Sequence, residues 1–156
     1  MTQDARFEDG HEAPLNLGAM DSEDLQVLSS LVQDAVFPIT EMRWYASERR
    51  FAILLNRVRW EDNGKDRHGV ERVQSVLALS NVLNVSSQGI DRSQSEMILS
   101  LLSITFEPGE DGAGDIVLTL AGDGALRLSV EALEAQLRDV TRPYKAPSRK
   151  LPAHNP

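Results

Sequence analysis

The segment DIVLTLAGDGALRLSV, from Asp115 to Val130, carries the plainest structural signal in the chain. Apolar and polar side chains alternate on both sides of its centre, which is the pattern of two strands that each bury one face. The central Gly122-Asp123-Gly124 supplies residues that tolerate the positive φ angles of a tight turn. The segment therefore predicts an antiparallel β-hairpin.

Several segments upstream of this hairpin also alternate with a period of two. Turn signals separate them, and the strongest is Asn63-Gly64, a pair suited to a two-residue hairpin turn. Asn81 leaves two alternatives open, because the segments on either side of it are either two strands or one strand with a bulge. We predict strands at about residues 40–46, 51–60, 72–80, 82–87 and 97–106.

Two segments instead show the spacing of an amphipathic helix. The first begins after a cap at Asp21 or Ser22 and ends before Pro38, with a stripe formed by Leu25, Leu28, Leu31, Val32 and Ala35. The second is predicted to begin near Ser129 and to end before Pro143, with a stripe formed by Val130, Leu133, Leu137 and Val140.

The order of these elements predicts an α+β fold with an antiparallel bent sheet or partly open barrel of about six or seven strands. An N-terminal helix precedes the sheet and a C-terminal capping helix closes it, so the expected architecture is pleckstrin-homology-like. No strand-helix-strand crossover is apparent, which argues against parallel-sheet folds. We expect one domain over residues 15–141, between a disordered acidic tail at 1–14 and a disordered basic, proline-rich tail at 142–156.

Composition removes several classes of function. The 156 residues include 16 Lys+Arg and 24 Asp+Glu, which gives a net charge of −8, and this sign disfavours nucleic acid as a partner. The chain has no cysteine, which excludes disulfides, thiolate metal sites and cysteine nucleophiles. No segment has the roughly 18 consecutive apolar residues that insertion into a membrane requires, and the acidic first twenty residues are unlike a secretion signal. We expect a cytoplasmic protein without cofactor or metal.

The chain resembles an uncharacterised family of small proteins, found mainly in alphaproteobacteria and catalogued only as a domain of unknown function. The resemblance lies in the segments DSEDLQVLSSLVQDAV, ERRFAILLNRVRWE, SSQGIDRS, LLSITFEP and AGDGALRLSVEALEAQLRD, which together cover most of residues 21–139. None of them is a catalytic signature. The resemblance implies no activity, cofactor or site residue.

One group of side chains stands out as a candidate site. Residues 41–72 hold eight Lys+Arg against six Asp+Glu, although the chain as a whole is acidic. Guanidinium groups there could bind a phosphate or carboxylate, with aromatic rings beside them for stacking. The alternative is that the arginines pair across strands with Glu41, Glu48, Glu61 and Glu71. The candidate residues for anion or acidic-partner binding are Arg43, Arg57, Arg59, Trp44 and Trp60.

The pattern favours a binding function over catalysis. The three histidines, His11, His68 and His154, all fall in predicted tails or loops, where no rigid scaffold could hold an imidazole against a nucleophile. We expect a non-enzymatic protein- or peptide-binding domain, with another protein or a second copy of the chain as partner. The alternative is a small-molecule binder or enzyme that uses only arginine and carboxylate groups.

Overall fold

The structure is a computed structural model that describes residues 13–61 and 71–142 and the backbone of residues 144–145. One helix, α1, spans Ser22–Leu31, and short 3-10 turns span Ile39–Glu41 and Ala46–Glu48. The strands are β1 (Asn16–Ala19), β2 (Val36–Pro38), β3 (Met42–Tyr45), β4 (Arg50–Val58), β5 (Glu71–Leu79), β6 (Val82–Gln88), β7 (Ile98–Pro108), β8 (Gly114–Leu120), β9 (Ala125–Val130), β10 (Ala135–Asp139) and β11 (Tyr144–Lys145).

These strands form one antiparallel sheet in the order β1-β10-β5-β4-β2-β7-β8-β9-β6. Strand β3 adds to β4 and strand β11 adds to β5, so both lie off this path. We call β1 to β5, β10 and β11 the first half-sheet, and β6 to β9 the second half-sheet. Buried apolar residues of both halves belong to one cluster, so the sheet bends until its two inner faces meet.

The hairpin expected at residues 115–130 is confirmed as β8 and β9. Ile116 pairs with Leu128, and Thr119 pairs with Ala125 on either side of the turn. Gly122 in that turn has a φ of 81°, a conformation that glycine adopts without steric cost. The buried side chains of β8 alternate with half-exposed ones, as a strand with one face on the core requires.

The N-terminal helix is also confirmed. Asp21 is its N-cap, because a side-chain oxygen of Asp21 accepts a hydrogen bond of 2.8 Å from the backbone N–H of Asp24. Leu25 and Leu28 are buried in the core cluster. The helix is fixed to β7 by the backbone N–H of Ile104, which donates to the hydroxyl of Ser29 over 2.9 Å.

The expected C-terminal capping helix is wrong. In the structure, β9 continues to Val130, and residues Ala135–Asp139 form β10 between β1 and β5. Leu137 lies opposite Leu77 of β5 and Leu17 of β1; all five residues of β10 pair with β5, and four of them also pair with β1. This pairing outweighs the helix propensity of the segment, because tertiary packing routinely overrides such local preferences.

The predicted strand number and the pleckstrin-homology-like closure are wrong as well. The eleven strands form an open sheet, with β1 and β6 at its two ends, and the only helix in the described residues is the N-terminal one. The estimate of six or seven strands missed short elements such as β1, β2 and β11, which have two to four residues each. Such elements are too short to show a period in the sequence.

Parts of the sequence-based expectations fall outside the described residues. These are the Asn63-Gly64 turn, the three histidines and most of the two predicted tails. Within the second tail, the described strand β11 pairs Tyr144 with Arg72. Among the residues that the structure describes, no helix has the length and apolar character needed to cross a bilayer.

Candidate functional site

A buried guanidinium lies at one end of the inner face of β4. Alternation along this strand points Phe51, Ile53 and Leu55 into the core, and it directs Arg57 the same way. The side chain of Arg57 is 0% exposed. Arg57 Nη1 and Nη2 donate to the two carboxylate oxygens of Glu61 over 3.0 and 2.8 Å, which is a bidentate pair.

The same guanidinium is held from the other side by Asp139. Arg57 Nη2 lies 3.0 Å from Asp139 Oδ1, and Arg57 Nε donates to Ser75 Oγ over 3.0 Å. Ser75 Oγ in turn donates to Asp139 Oδ1 over 2.7 Å, while the N–H of Leu15 donates to Asp139 Oδ2 over 2.8 Å. These contacts join β4, β5, β10 and the residue before β1. We call Arg57, Glu61, Ser75 and Asp139 the ion network.

Two opposing effects set the protonation of this network. Burial acts to raise the pKa of Glu61, but the hydrogen bonds and charge of Arg57 outweigh it and hold that pKa below its usual value. For Arg57, burial acts to lower the pKa, but the hydrogen bonds and charges of Glu61 and Asp139 raise it above its ordinary value. Both groups are therefore charged at neutral pH.

Two more arginines are held beside this network. Arg59 is nearly buried, and its Nη1 donates to Glu71 Oε1 over 2.6 Å. Arg72 projects on the outer face, where its guanidinium donates to the side-chain and backbone oxygens of Asn56. The half-buried Asn56 thus has a structural role, as a hydrogen-bond acceptor for Arg72.

The five residues proposed from the sequence lie in different places. Arg57 and Arg59 come together in the buried region and are bound to carboxylates. Arg43 lies opposite Ala52 on the outer face of the sheet, and Trp44 lies opposite Phe51 on the inner face. Trp60 donates its indole N–H to the backbone oxygen of Gln33 over 3.0 Å. The structure thus brings Arg57 and Arg59 together and places Arg43, Trp44 and Trp60 elsewhere.

The structure instead shows a groove of about 290 Å³ on the outer face of the first half-sheet. Its floor is made of small side chains, because Ala78 of β5 lies between Ala52 of β4 and Gln136 of β10. We call this the outer groove. Its lining residues are Tyr45, Glu48, Arg50, Ala52, Val76, Ala78, Ser80, Gln136 and Arg138.

Three exposed arginines surround the outer groove. Arg50 lies directly opposite Tyr45, and Arg43 is its diagonal neighbour, at about 7–8 Å in an antiparallel ladder. Arg138 lies on the opposite side of the alanine floor. Among the described residues, none of the three forms an ion pair. By contrast, the exposed Arg127 of β9 is paired with two carboxylates.

A second cleft lies between β3, β9 and the segment that follows β6, and its volume is about 230 Å³. Near β3, the backbone N–H of Val82, the first residue of β6, donates to the backbone oxygen of Arg49 over 2.8 Å. We call this second cleft the seam cleft. Its lining residues are Ile39, Thr40, Met42, Trp44, Phe51, Arg92, Ser95 and Leu126.

Sequence reasoning missed Arg138 and Asp139, and it left Arg50 outside the final set. The alternation of exposed Gln136 and Arg138 with buried Leu137 and Asp139 is the signal that could have found the first two. The assignment of this segment to a helix concealed it. In the described part of the chain, no group of three or more histidine, cysteine or acidic side chains could hold a metal ion.

Comparison with known proteins gives one match. No curated protein and no solved structure matches the chain. The family model described as "Protein of unknown function (DUF2948)" matches residues 15–154, which is most of the chain and includes every strand of the described fold. The chain therefore belongs to the DUF2948 family, as its resemblance to a domain of unknown function had suggested.

Proposed function

We propose that the chain is a non-enzymatic protein-binding domain that captures an acidic segment of a partner protein in the outer groove. The observation that carries this proposal is that two exposed arginines, Arg50 and Arg138, line the groove around its alanine floor, with the exposed Arg43 as the diagonal neighbour of Arg50 on the same face. The partner segment would be extended and would carry carboxylates on one face.

The electrostatics of this face support an acidic partner. The chain has a net charge of −8, yet Glu48 is the only acidic residue among the described residues that line the groove. Arginine binds carboxylates through two parallel hydrogen bonds, and the three arginines here lack an ion pair among the described residues. A local positive area on an acidic protein also orients an acidic partner as it approaches.

The shape of the groove supports an extended segment. The side chains of Ala52 and Ala78, which pair across two neighbouring strands, are small, so the backbone of a bound segment can approach the sheet closely. Tyr45 stands at one end with an exposed ring that offers apolar contact and a hydroxyl group. A chain that crosses the floor would reach Arg50 on one side and Arg138 on the other.

The buried arginines and carboxylates favour binding over catalysis by the same residue types. Glu61 and Asp139 already accept hydrogen bonds from the guanidinium of Arg57, and Glu71 accepts one from Arg59. A general base needs a lone pair that can reach a substrate, and the network uses these lone pairs internally. The network is better suited to holding four segments of the chain together.

The proposal is tested with a fluorescein-labelled peptide, acetyl-Ser-Glu-Ser-Asp-Ser-Glu-Ser-amide, in which every second residue is acidic. Fluorescence anisotropy should show saturable binding that weakens as salt is raised, because ions screen exposed charges over about 10 Å at 0.1 M and about 3 Å at 1 M. Arg50→Ala and Arg138→Ala should each weaken binding about fivefold, which corresponds to about 1 kcal/mol for an exposed pair.

Arg127→Ala is the matched control, because it removes the same charge from an exposed position on the other half-sheet. Equal losses in the Arg50, Arg138 and Arg127 variants would show that only net charge matters, and the groove would not be the site. Binding of an all-serine peptide with the same affinity would also refute the proposal. Affinity purification from the host, with wild type and the Arg50 variant compared by mass spectrometry, then identifies the partner.

Further expectations accompany this function. We take residues 15–141 as the domain that carries the groove. We also propose a cytoplasmic location, and an occurrence mainly in alphaproteobacteria as the resemblance implied. Another protein is the expected partner, with a second copy of the chain as the alternative, and neither nucleic acid nor insertion into a membrane is expected.

A further inference from the structure

Strand β6 leaves one edge of the second half-sheet open. It is the last strand in the sheet order, and among the described residues it pairs only with β9. Its seven residues, VLNVSSQ, include no charged residue and no proline. Edge strands in natural proteins usually carry such residues, because an unprotected edge can pair with another strand. Beyond Val82, whose N–H already donates to Arg49, the edge of β6 is thus available for strand addition.

The seam cleft lies close to β6, although no residue of β6 is among the described residues that line it. Leu126 of β9, which lines the cleft, is the cross-strand partner of Ser87 in β6. Trp44 and Phe51 also line the cleft, and Trp44 is 37% exposed although it lies on the inner face of the sheet. With these apolar residues, a cleft of about 230 Å³ can accept one large side chain from a strand added to β6.

The charges around the cleft indicate which side chain would be next to that anchor. Arg92 and Ser95 are polar residues of the cleft lining, and both are exposed. Among the described residues Arg92 forms no ion pair, whereas Asp91 beside it is bonded to Ser93 and Gln94. A carboxylate two residues from the apolar anchor would lie on the same face of the added strand and could reach Arg92.

We propose that β6 and the seam cleft together form a second binding site, which adds an extended strand of a partner protein with a large apolar side chain in the cleft and an acidic residue beside Arg92. Backbone hydrogen bonds to β6 supply affinity, and the cleft supplies specificity. This site is separate from the outer groove, since the groove lies on the outer face of the other half-sheet.

The test uses the fluorescein-labelled peptide acetyl-Ser-Val-Thr-Phe-Thr-Asp-Ser-amide, whose valine, phenylalanine and aspartate share one face. Saturable binding to the full chain is expected below about 1 mM, the weak end of specific association. Trp44→Ala and Ser87→Lys should each weaken binding about tenfold or more, the scale of a residue that dominates an interface. Both positions are exposed, so the fold should persist.

Ser30→Lys adds the same charge as Ser87→Lys, but on an exposed position of the helix, and it should leave binding unchanged. Two N-methylated peptides test the backbone contacts, because alternate N–H groups of an added strand face β6. Methylation at one set of alternate residues should abolish binding and at the other set should not. Arg50→Ala should have no effect, which separates this site from the outer groove.

Four results would overturn the proposal. They are no saturable binding of the peptide, equal affinity for a peptide with alanine in place of phenylalanine, unchanged affinity after Trp44→Ala, and insensitivity to both methylation patterns. Sedimentation velocity covers the remaining alternative. If the chain alone forms a dimer that Ser87→Lys dissociates, then a second copy occupies the edge, and the partner strand is refuted.

Discussion

Asp139→Asn is the most informative change in the ion network, because it removes one charge and leaves the shape of the side chain nearly unchanged. Arg57 is 0% exposed and would lose one of its two carboxylates. Depending on its orientation, the new amide would also present N–H donors to Arg57 or to the N–H of Leu15. Breaking a buried ion pair in this way costs about 3–5 kcal/mol. Since Glu61 keeps its bidentate contact, we expect a loss near the lower limit, about 3 kcal/mol.

Such a loss is large against the roughly 5–15 kcal/mol that stabilises a typical domain. Urea denaturation followed by circular dichroism measures it directly, and a thermal scan should show Tm lower by about 6–12 °C for a chain of this size. Asp115→Asn provides the matched control. It makes the same chemical change at an exposed pair with Arg127, where the cost should stay within about 1 kcal/mol.

If the free energy of unfolding of Asp139→Asn lies within about 1 kcal/mol of that of wild type, the Arg57–Asp139 pair contributes no more than an exposed pair does. A double variant checks the cause. Arg57→Met together with Asp139→Leu replaces the pair by apolar side chains, and such replacements are often neutral or stabilising. It should therefore be more stable than Asp139→Leu alone. If it is less stable, Arg57 still stabilises the fold through Glu61 when Asp139 is absent, and a buried charge left without its partner is not the cause of the loss.

Three further changes test the stability assignments. The pKa of Glu61 is lower in the folded state than in the unfolded state, so its stabilising contribution is complete above the unfolded-state pKa of about 4.3 and is lost as pH falls through the folded-state pKa. The difference in unfolding free energy between wild type and Glu61→Gln should therefore shrink below about pH 4. A difference that does not depend on pH would contradict this. Leu137→Ala should cost about 2–5 kcal/mol by urea denaturation, because the side chain is buried between β1 and β5, and a loss below about 1 kcal/mol would argue against this packing. Gly89→Ala should lower Tm, because Gly89 has a φ of 72° and the new Cβ would lie 2.8 Å from a backbone oxygen. Gly18→Ala is the control, because its new Cβ would meet no atom closer than 3.8 Å and should change Tm little. Equal changes in Tm would refute the steric argument.

Local sequence signals predicted the elements that depend on local interactions. The hairpin around Gly122 and the helix capped by Asp21 both follow from patterns within about fifteen residues, and both are present. The helix predicted over residues 135–139 is wrong because this segment depends on distant partners. Its residues favour a helix locally, but β5 pairs with all five residues of the strand and β1 with four of them, and those partners lie more than fifty residues away.

In the site, too, contacts between nearby residues could be predicted from the sequence and contacts between distant residues could not. The expectation that the arginines pair with acidic residues was sound for Arg57 with Glu61 and for Arg59 with Glu71, which are four and twelve residues apart. Arg57 and Asp139 are 82 residues apart in the sequence, and no local pattern predicts their contact. The outer groove could not be predicted from the sequence, because Arg138 lies on the same face as the arginines of β3 and β4 only when its segment forms a strand of the same half-sheet.

The position of β10 also constrains how the protein can be synthesised and folded. Strands β1 and β5 flank β10 and have no ladder with each other, so the first half-sheet stays in two pieces until residue 139 has left the ribosome. Contacts between residues so distant in the chain form slowly, because a long loop must close before any hydrogen bond rewards it. During translation, β5 therefore has an unpaired edge until β10 has been made, and nascent chains halted before Ala135 should be recognised by chaperones that bind exposed apolar strands.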